Sequence, residues 1–253
     1  MKHALEFEIE SQPNDSSCGP TCLAAVYRYW DESTSITVSS LIDEIGQLTH
    51  GGTLAVQLGC HGLKSGFDAV ITTYNLQVFD PTWFGTDDGI GDNTHLSEKL
   101  RCQLQIKRSR PDVDQLRLQT ATDFYLQFLS LGGRIQMCPL NESLIVASLT
   151  QDVPILCGLS ATYLYRESRE RWQPMDVAGR TSIPDDVGGD PTGHFVVLHG
   201  YDPKTKKVLI ADPLPHAGTK SNKYEASLSR VVSAIMLGIV TFDANLLTLV
   251  PRL

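Results

Sequence analysis

The stretch Gln12 to Trp30, QPNDSSCGPTCLAAVYRYW, constrains the fold more than any other part of the chain. Pro20 follows Cys18 by two residues, and proline is tolerated in the first turn of a helix but not deeper. Good helix formers come next. Cys22, Val26 and Trp30 recur at four-residue spacing with Leu23 and Tyr27 beside them, the stripe of a helix with one buried face. The helix is expected to begin at Cys18 and to run to about Trp30. A thiol there meets the positive end of the helix dipole and unsatisfied backbone N–H groups, which favour the nucleophilic thiolate. Gln12, five intervening residues upstream, is close enough for its amide N–H to point at an oxygen bound beside Cys18. A cysteine opening a helix is more often a small buried hydrophobe. A suitable histidine tips the reading towards chemistry, and the chain supplies His194.

At 253 residues, 42% hydrophobic and 20% charged, the chain is expected to form one domain, 1–253, with a sizeable core. Its net charge of −8 argues against nucleic acid or an anionic membrane as partner. No apolar run approaches membrane-spanning length, and MKHALEFEIE lacks the apolar block of a signal peptide. The cytoplasm is therefore the expected compartment, with the six cysteines reduced. No CxxC pair occurs, and Cys60-His61 with His50 has no second cluster, so neither metal nor cofactor is expected.

Along the chain, residues 5–10 alternate Leu5, Phe7, Ile9 against Glu6, Glu8, Glu10, as in a half-buried strand. Helices are expected at about 39–45, stopped by Gly46, and after the Gly51-Gly52 turn, where Thr53 can cap. DAVITTY at 68–74 is strand-like. Residues 75–131 look like an insertion: an ordered loop carrying Phe79, Trp83 and Phe84, then helices at 94–107 and 112–131. A short strand at 134–138 and a helix capped by Asn141 follow. The apolar run 153–165 reads as one buried strand, and 166–193 as a polar, glycine-rich loop. A hairpin, a helix at about 225–236 and closing strands complete the chain.

The hairpin HFVVLHGYDPKTKKVLIADP can be put in register. Asp202 and Pro203 suit a type I turn, and a five-residue loop 201–205 pairs Gly200 with Lys206, Leu198 with Val208 and His194 with Asp212. Opposed residues share a face, so a carboxylate should stand beside His194, while His199 points to the other face. Asp202, at the far turn, lies roughly 20 Å or more along the strand and cannot orient this imidazole. Asp212→Asn is expected to impair turnover while keeping shape.

With Gln12, Cys18-Gly-Pro-Thr-Cys22, His194-Phe-Val-Val-Leu and Asp212-Pro213 together, the chain resembles the bacteriocin-processing (double-glycine) peptidases and their stand-alone relatives, a branch of the papain-like cysteine peptidases. The resemblance covers roughly the first 75 residues and the last 120. It implies an α+β papain-like fold, a helical half facing an antiparallel sheet. It also implies Cys18 as nucleophile, His194 as base, Asp212 as its orienting acid and Gln12 as oxyanion donor. The implied substrate is a peptide or amide, cleaved through an acyl-enzyme. An acyltransferase with the same triad and a non-catalytic peptide-binding domain are the rivals. The oligomeric state stays open.

Overall fold

A computed structural model describes residues 2–46, 48, 52–85, 89–174, 176–177, 181–214 and 221–252. His50, Gly51 and residues 86–88 of the expected loop lie outside them. In chain order the elements begin with β1 (His3–Ala4), α1 (Cys18–Trp30), α2 (Val38–Ile45), α3 (Ala55–Lys64), β2 (Phe67–Thr73), α4 (Asn93–Lys107) and α5 (Gln115–Ser130). They continue with β3 (Arg134–Gln136), α6 (Glu142–Leu149), β4 (Ile155–Ser160), α7 (Ala161–Tyr165), β5 (Glu170–Trp172) and β6 (Ser182–Pro184). The hairpin β7 (Gly193–Asp202) and β8 (Lys207–Ala211) is followed by β9 (Lys223–Ser227), α8 (Leu228–Leu237) and β10 (Asn245–Pro251).

The main sheet runs β3-β2-β10-β4-β7-β8-β9, with β1 added to the far end of β7. Its pairings are antiparallel except β2 with β3. The last strand is thus central, because β10 inserts between β2 and β4. Side-chain alternation along β7 divides the core. Phe195 and Val197 join Leu23, Val26, Leu58 and Phe128 on the face covered by α1, α3 and α5. Val196 and Leu198 join Ile145, Leu164, Val231 and Ile235 on the face covered by α6, α7 and α8. The class is α+β, as expected.

Residues 75–131 are not an appendage to this core. Leu96, Leu100, Tyr125 and Phe128 belong to the same cluster as α1 and α3. Phe79, 1% exposed, meets Tyr125 edge-on with ring centroids 4.7 Å apart.

Several local expectations need correction. Residues 5–10 keep the expected alternation of burial, but the paired strand is His3–Ala4, and beyond it Leu5 N–H reaches His199 O. The third helix is capped at Leu54, whose N–H is taken by the Gln57 side chain, not at Thr53. The run 153–165 changes from strand to helix at Ser160, whose hydroxyl accepts from Tyr163 N–H. An all-apolar run carries no period to mark that change. Residues 223–227 form an edge strand before α8, and the loop 166–193 contains the β5–β6 hairpin.

Candidate active site

The Cys18 thiol is placed by how α1 is entered and where it docks. Before the helix, Asn14 and Ser17 fold the chain back on itself: Ser17 Oγ donates to Asn14 O and accepts from Asn14 N–H. Asn14 Oδ1 accepts from Ser16 N–H. Cys18 is then the first helical residue, as expected, and only 7% exposed. One turn on, the Cys22 thiol donates to Phe195 O at 3.3 Å, tying α1 to the strand that starts with His194. Gly19 permits this approach, because a Cβ there would overlap the Thr53 hydroxyl and crowd Phe195 at 3.3 Å.

His194 and Asp212 meet, but not through the expected register. The hairpin closes on Asp202–Lys207, with residues 203–206 as a four-residue loop and Lys206 in the left-handed region at φ 52°. That moves the pairing by three residues, and a bulge at His199 returns one, giving Leu198–Ile210 and Val197–Ala211. His194 is therefore not directly opposite Asp212. A net slip of two preserves the face, so Asp212 reaches the imidazole on the diagonal, with His194 Nε2 2.9 Å from Asp212 Oδ1. Asp202 stays at the turn, accepting from Lys204 N–H. His199, at the bulge, turns its Nδ1 to Leu5 O and stacks on Phe7.

Asp212 is fully buried and its hydrogen-bonding capacity is filled. Oδ1 accepts from His194 and from Leu214 N–H at 2.9 Å. Oδ2 accepts from the hydroxyls of Tyr165 at 2.6 Å and Tyr224 at 2.8 Å. Burial alone would raise the Asp212 pKa, but the His194 imidazole first, then Tyr165 and Leu214 N–H, hold it below the usual carboxylate value. Burial likewise pulls His194 down, but the hydrogen bond to Asp212 and the neighbouring Cys18 thiol outweigh it, raising the imidazole to about 10. Tyr165 also packs its ring 6.0 Å from the imidazole, centroid to centroid. Neither tyrosine was identified from the sequence. The signal was present: a buried carboxylate needs more donors than one imidazole provides.

Gln12 lies beside this group, its backbone N–H on Pro213 O, one residue past Asp212. Its amide Nε2 donates to Asn14 O at 2.9 Å, and Oε1 is buried without a partner among the described residues. A primary amide has two N–H donors, so one remains beyond the bond to Asn14. Cys22, Cys60 and Cys157 are buried thiols whose pKa burial pushes up, Cys60 to about 12. A cavity of about 680 Å³ is lined by Ser11, Pro13, Asn14, Arg28 and Ile42 among others. None of Cys18, His194 and Asp212 lines it. Among the described residues no group of three His, Cys, Asp or Glu side chains is placed to hold a metal ion. No helix there is long and apolar enough to cross a membrane.

Three comparisons bear on this arrangement. The model of the Peptidase C39 like family matches residues 120–233, a span that contains His194 and Asp212 but neither Cys18 nor Gln12. A search of curated proteins finds no match. A crystal structure from Bacillus anthracis, of a protein provisionally assigned as a C39-like peptidase, superposes with a TM-score of 0.50 at 16% identity. The match covers 100% of this chain and 98% of that one, and what it shows is a shared fold.

Proposed function

We propose that this relative of the C39-type papain-like peptidases is a cysteine peptidase or amidohydrolase working through Cys18, His194 and Asp212. The observation that carries the reading is the His194–Asp212 pair at 2.9 Å, interacting in turn with Cys18. Because Asp212 takes Nε2, Nδ1 is the nitrogen left for the thiol. His194 accepts the Cys18 proton, and the thiolate attacks the carbonyl carbon of a peptide or amide. The oxyanion forms near the Cys18 backbone N–H, which has no intrahelical acceptor at this position, and the remaining Gln12 amide N–H. Each such donor is worth roughly 3 kcal/mol. His194 returns the proton to the leaving amine as the C–N bond breaks. Water then attacks the thioester, gives its proton to His194, and releases the acid and the Cys18 thiol.

Tyr165 and Tyr224 act as positioning residues, keeping Asp212 ionised and aimed at the imidazole. The cysteine content suits a reducing, cytoplasmic setting in which the nucleophile stays a thiol. The test is a peptide-library digestion read by mass spectrometry, comparing wild type with Cys18→Ala. Cleavage products that disappear with Cys18→Ala support the reading. Products unchanged by that substitution contradict it. Added amines diverted into products would move the assignment to acyl transfer.

A further inference from the structure

Asp243 is 6% exposed, and its Oδ1 has no hydrogen-bond partner among the described residues. A carboxyl removed from water without donors is unfavourable and calls for a reason. The backbone is bent to put it there, for the residues on either side, Phe242 and Ala244, both lie in the left-handed region, at φ 70° and 57°. Non-glycine residues are held there only when the surrounding structure compels it. Two glycines make the room. A Cβ on Gly158 would lie 2.9 Å from Asp243 Cβ and Cγ. A Cβ on Gly193 would lie 3.4 Å from Asp243 Oδ2 and 2.8 Å from Thr241 Oγ1. Gly193 and Thr241 are both partly exposed, and Gly193 immediately precedes His194. The unpartnered carboxyl thus lies beneath the partly exposed backbone of Gly193, the residue that leads into His194, with no side chain between it and that surface.

We propose that Asp243 is the floor of a substrate subsite beside His194 and that it receives a basic side chain, lysine or arginine, lying within two residues of the scissile bond. The inference rests on the cysteine-peptidase reading and adds the substrate class. The groups facing Asp243 are Arg117 and Tyr125, both from α5. Arg117 holds its guanidinium 5.1 Å over the Phe242 ring and reaches Thr241 O at 3.5 Å. It does not neutralise the carboxyl, because burial outweighs it and pushes Asp243 up to about 7. A substrate cation supplies the missing donor and favours the ionised form, with release of a proton near neutrality. An apolar side chain leaves Oδ1 unpaired, and an acidic one adds a second carboxylate.

The test uses peptidyl acyloxymethyl ketones with lysine, arginine, leucine or glutamate at the first or second position from the warhead. Labelling of Cys18 is timed by intact mass and located by peptide mapping. Iodoacetamide, which needs no subsite, reports on Cys18 of the wild type in parallel. In wild type the basic probes are expected to label about tenfold faster or more than the leucine and glutamate probes, the scale of one charge-assisted hydrogen bond. In Asp243→Asn that ratio is expected to fall to about 1. Equal rates in wild type, no labelling by any probe, or a preference that survives Asp243→Asn overturns the inference. If Asp243→Asn does not fold, the wild-type comparison decides alone. If iodoacetamide leaves Cys18 unmodified, the peptidase reading itself falls; if it labels Cys18 while all probes are equal, only the subsite falls.

Discussion

Four donors converge on Asp212, and that count changes what its substitutions do. Asn keeps the shape, but its amide nitrogen cannot accept from the two tyrosines or from His194 and Leu214. Asp212→Asn should therefore cost about 2–4 kcal/mol of stability as well as turnover, against the shape-keeping effect expected from the sequence. Urea unfolding of the variant beside wild type measures it. Tyr165→Phe tests the donors singly. The Asp212 pKa is held down in the fold, so its stabilising contribution is present above the unfolded carboxylate pKa and is lost as pH falls through the folded value. Removing one donor raises that folded value, so acid unfolding of Tyr165→Phe should begin at a higher pH than in wild type. An unchanged acid midpoint would mean the hydroxyl does not stabilise the carboxylate. Asp243 has the opposite sign. Its folded pKa is raised to about 7 by burial, so stability is highest below the unfolded carboxylate pKa and falls as pH rises towards 7. Asp243→Asn should accordingly be more stable than wild type at pH 8, by up to a few kcal/mol in urea unfolding, and nearly equal to it at pH 4.

The helix α1 and the strand β7 carry the two groups proposed to react, Cys18 and His194, and their contact is where an element-scale change should tell most. Gly19→Ala puts a methyl group into the Thr53 hydroxyl. It should cost about 1–3 kcal/mol and slow Cys18 alkylation, because α1 must retreat from β7. A variant of unchanged stability and reactivity would show that the contact has slack. The same pair shows what a sequence reveals. The bounds of α1 were legible because Pro20, the four-residue stripe and the first turn all agree on them. The His194–Asp212 contact was legible from face parity alone, which survives an even slip of register. The register itself was not, because the four-residue loop and the bulge at His199 leave no composition signal. The tyrosines escaped for a related reason. Tyr165 ends an apolar run with no period, and Tyr224 lies on an edge strand that borders a helix.

At the scale of the whole molecule, the site joins distant parts of the chain: Gln12 and Cys18 from one end, Tyr165, His194, Asp212 and Tyr224 from the other half. The adjacent strands β4, β7, β8 and β9, with α1 tied to β7, hold these parts in one body, and residues 75–131 help to cover the sheet. Deleting 75–131 removes Phe79, Leu96, Leu100, Tyr125 and Phe128 from the core shared with α1 and α3. The truncated chain should lack a cooperative thermal transition; a cooperative melt near the wild-type temperature would show that the core stands without it. The central claim, that this assembly makes Cys18 a nucleophile, is tested most directly by competition among the chain's own thiols. Cys102 is exposed and Cys18 nearly buried, so accessibility alone favours Cys102. Brief iodoacetamide treatment at mildly acidic pH, where an ordinary thiol is almost wholly protonated, followed by peptide mapping, separates the two effects. The label is predicted on Cys18 first, with Cys18 labelling slowed in His194→Ala; faster labelling of Cys102, with Cys18 inert, would contradict it.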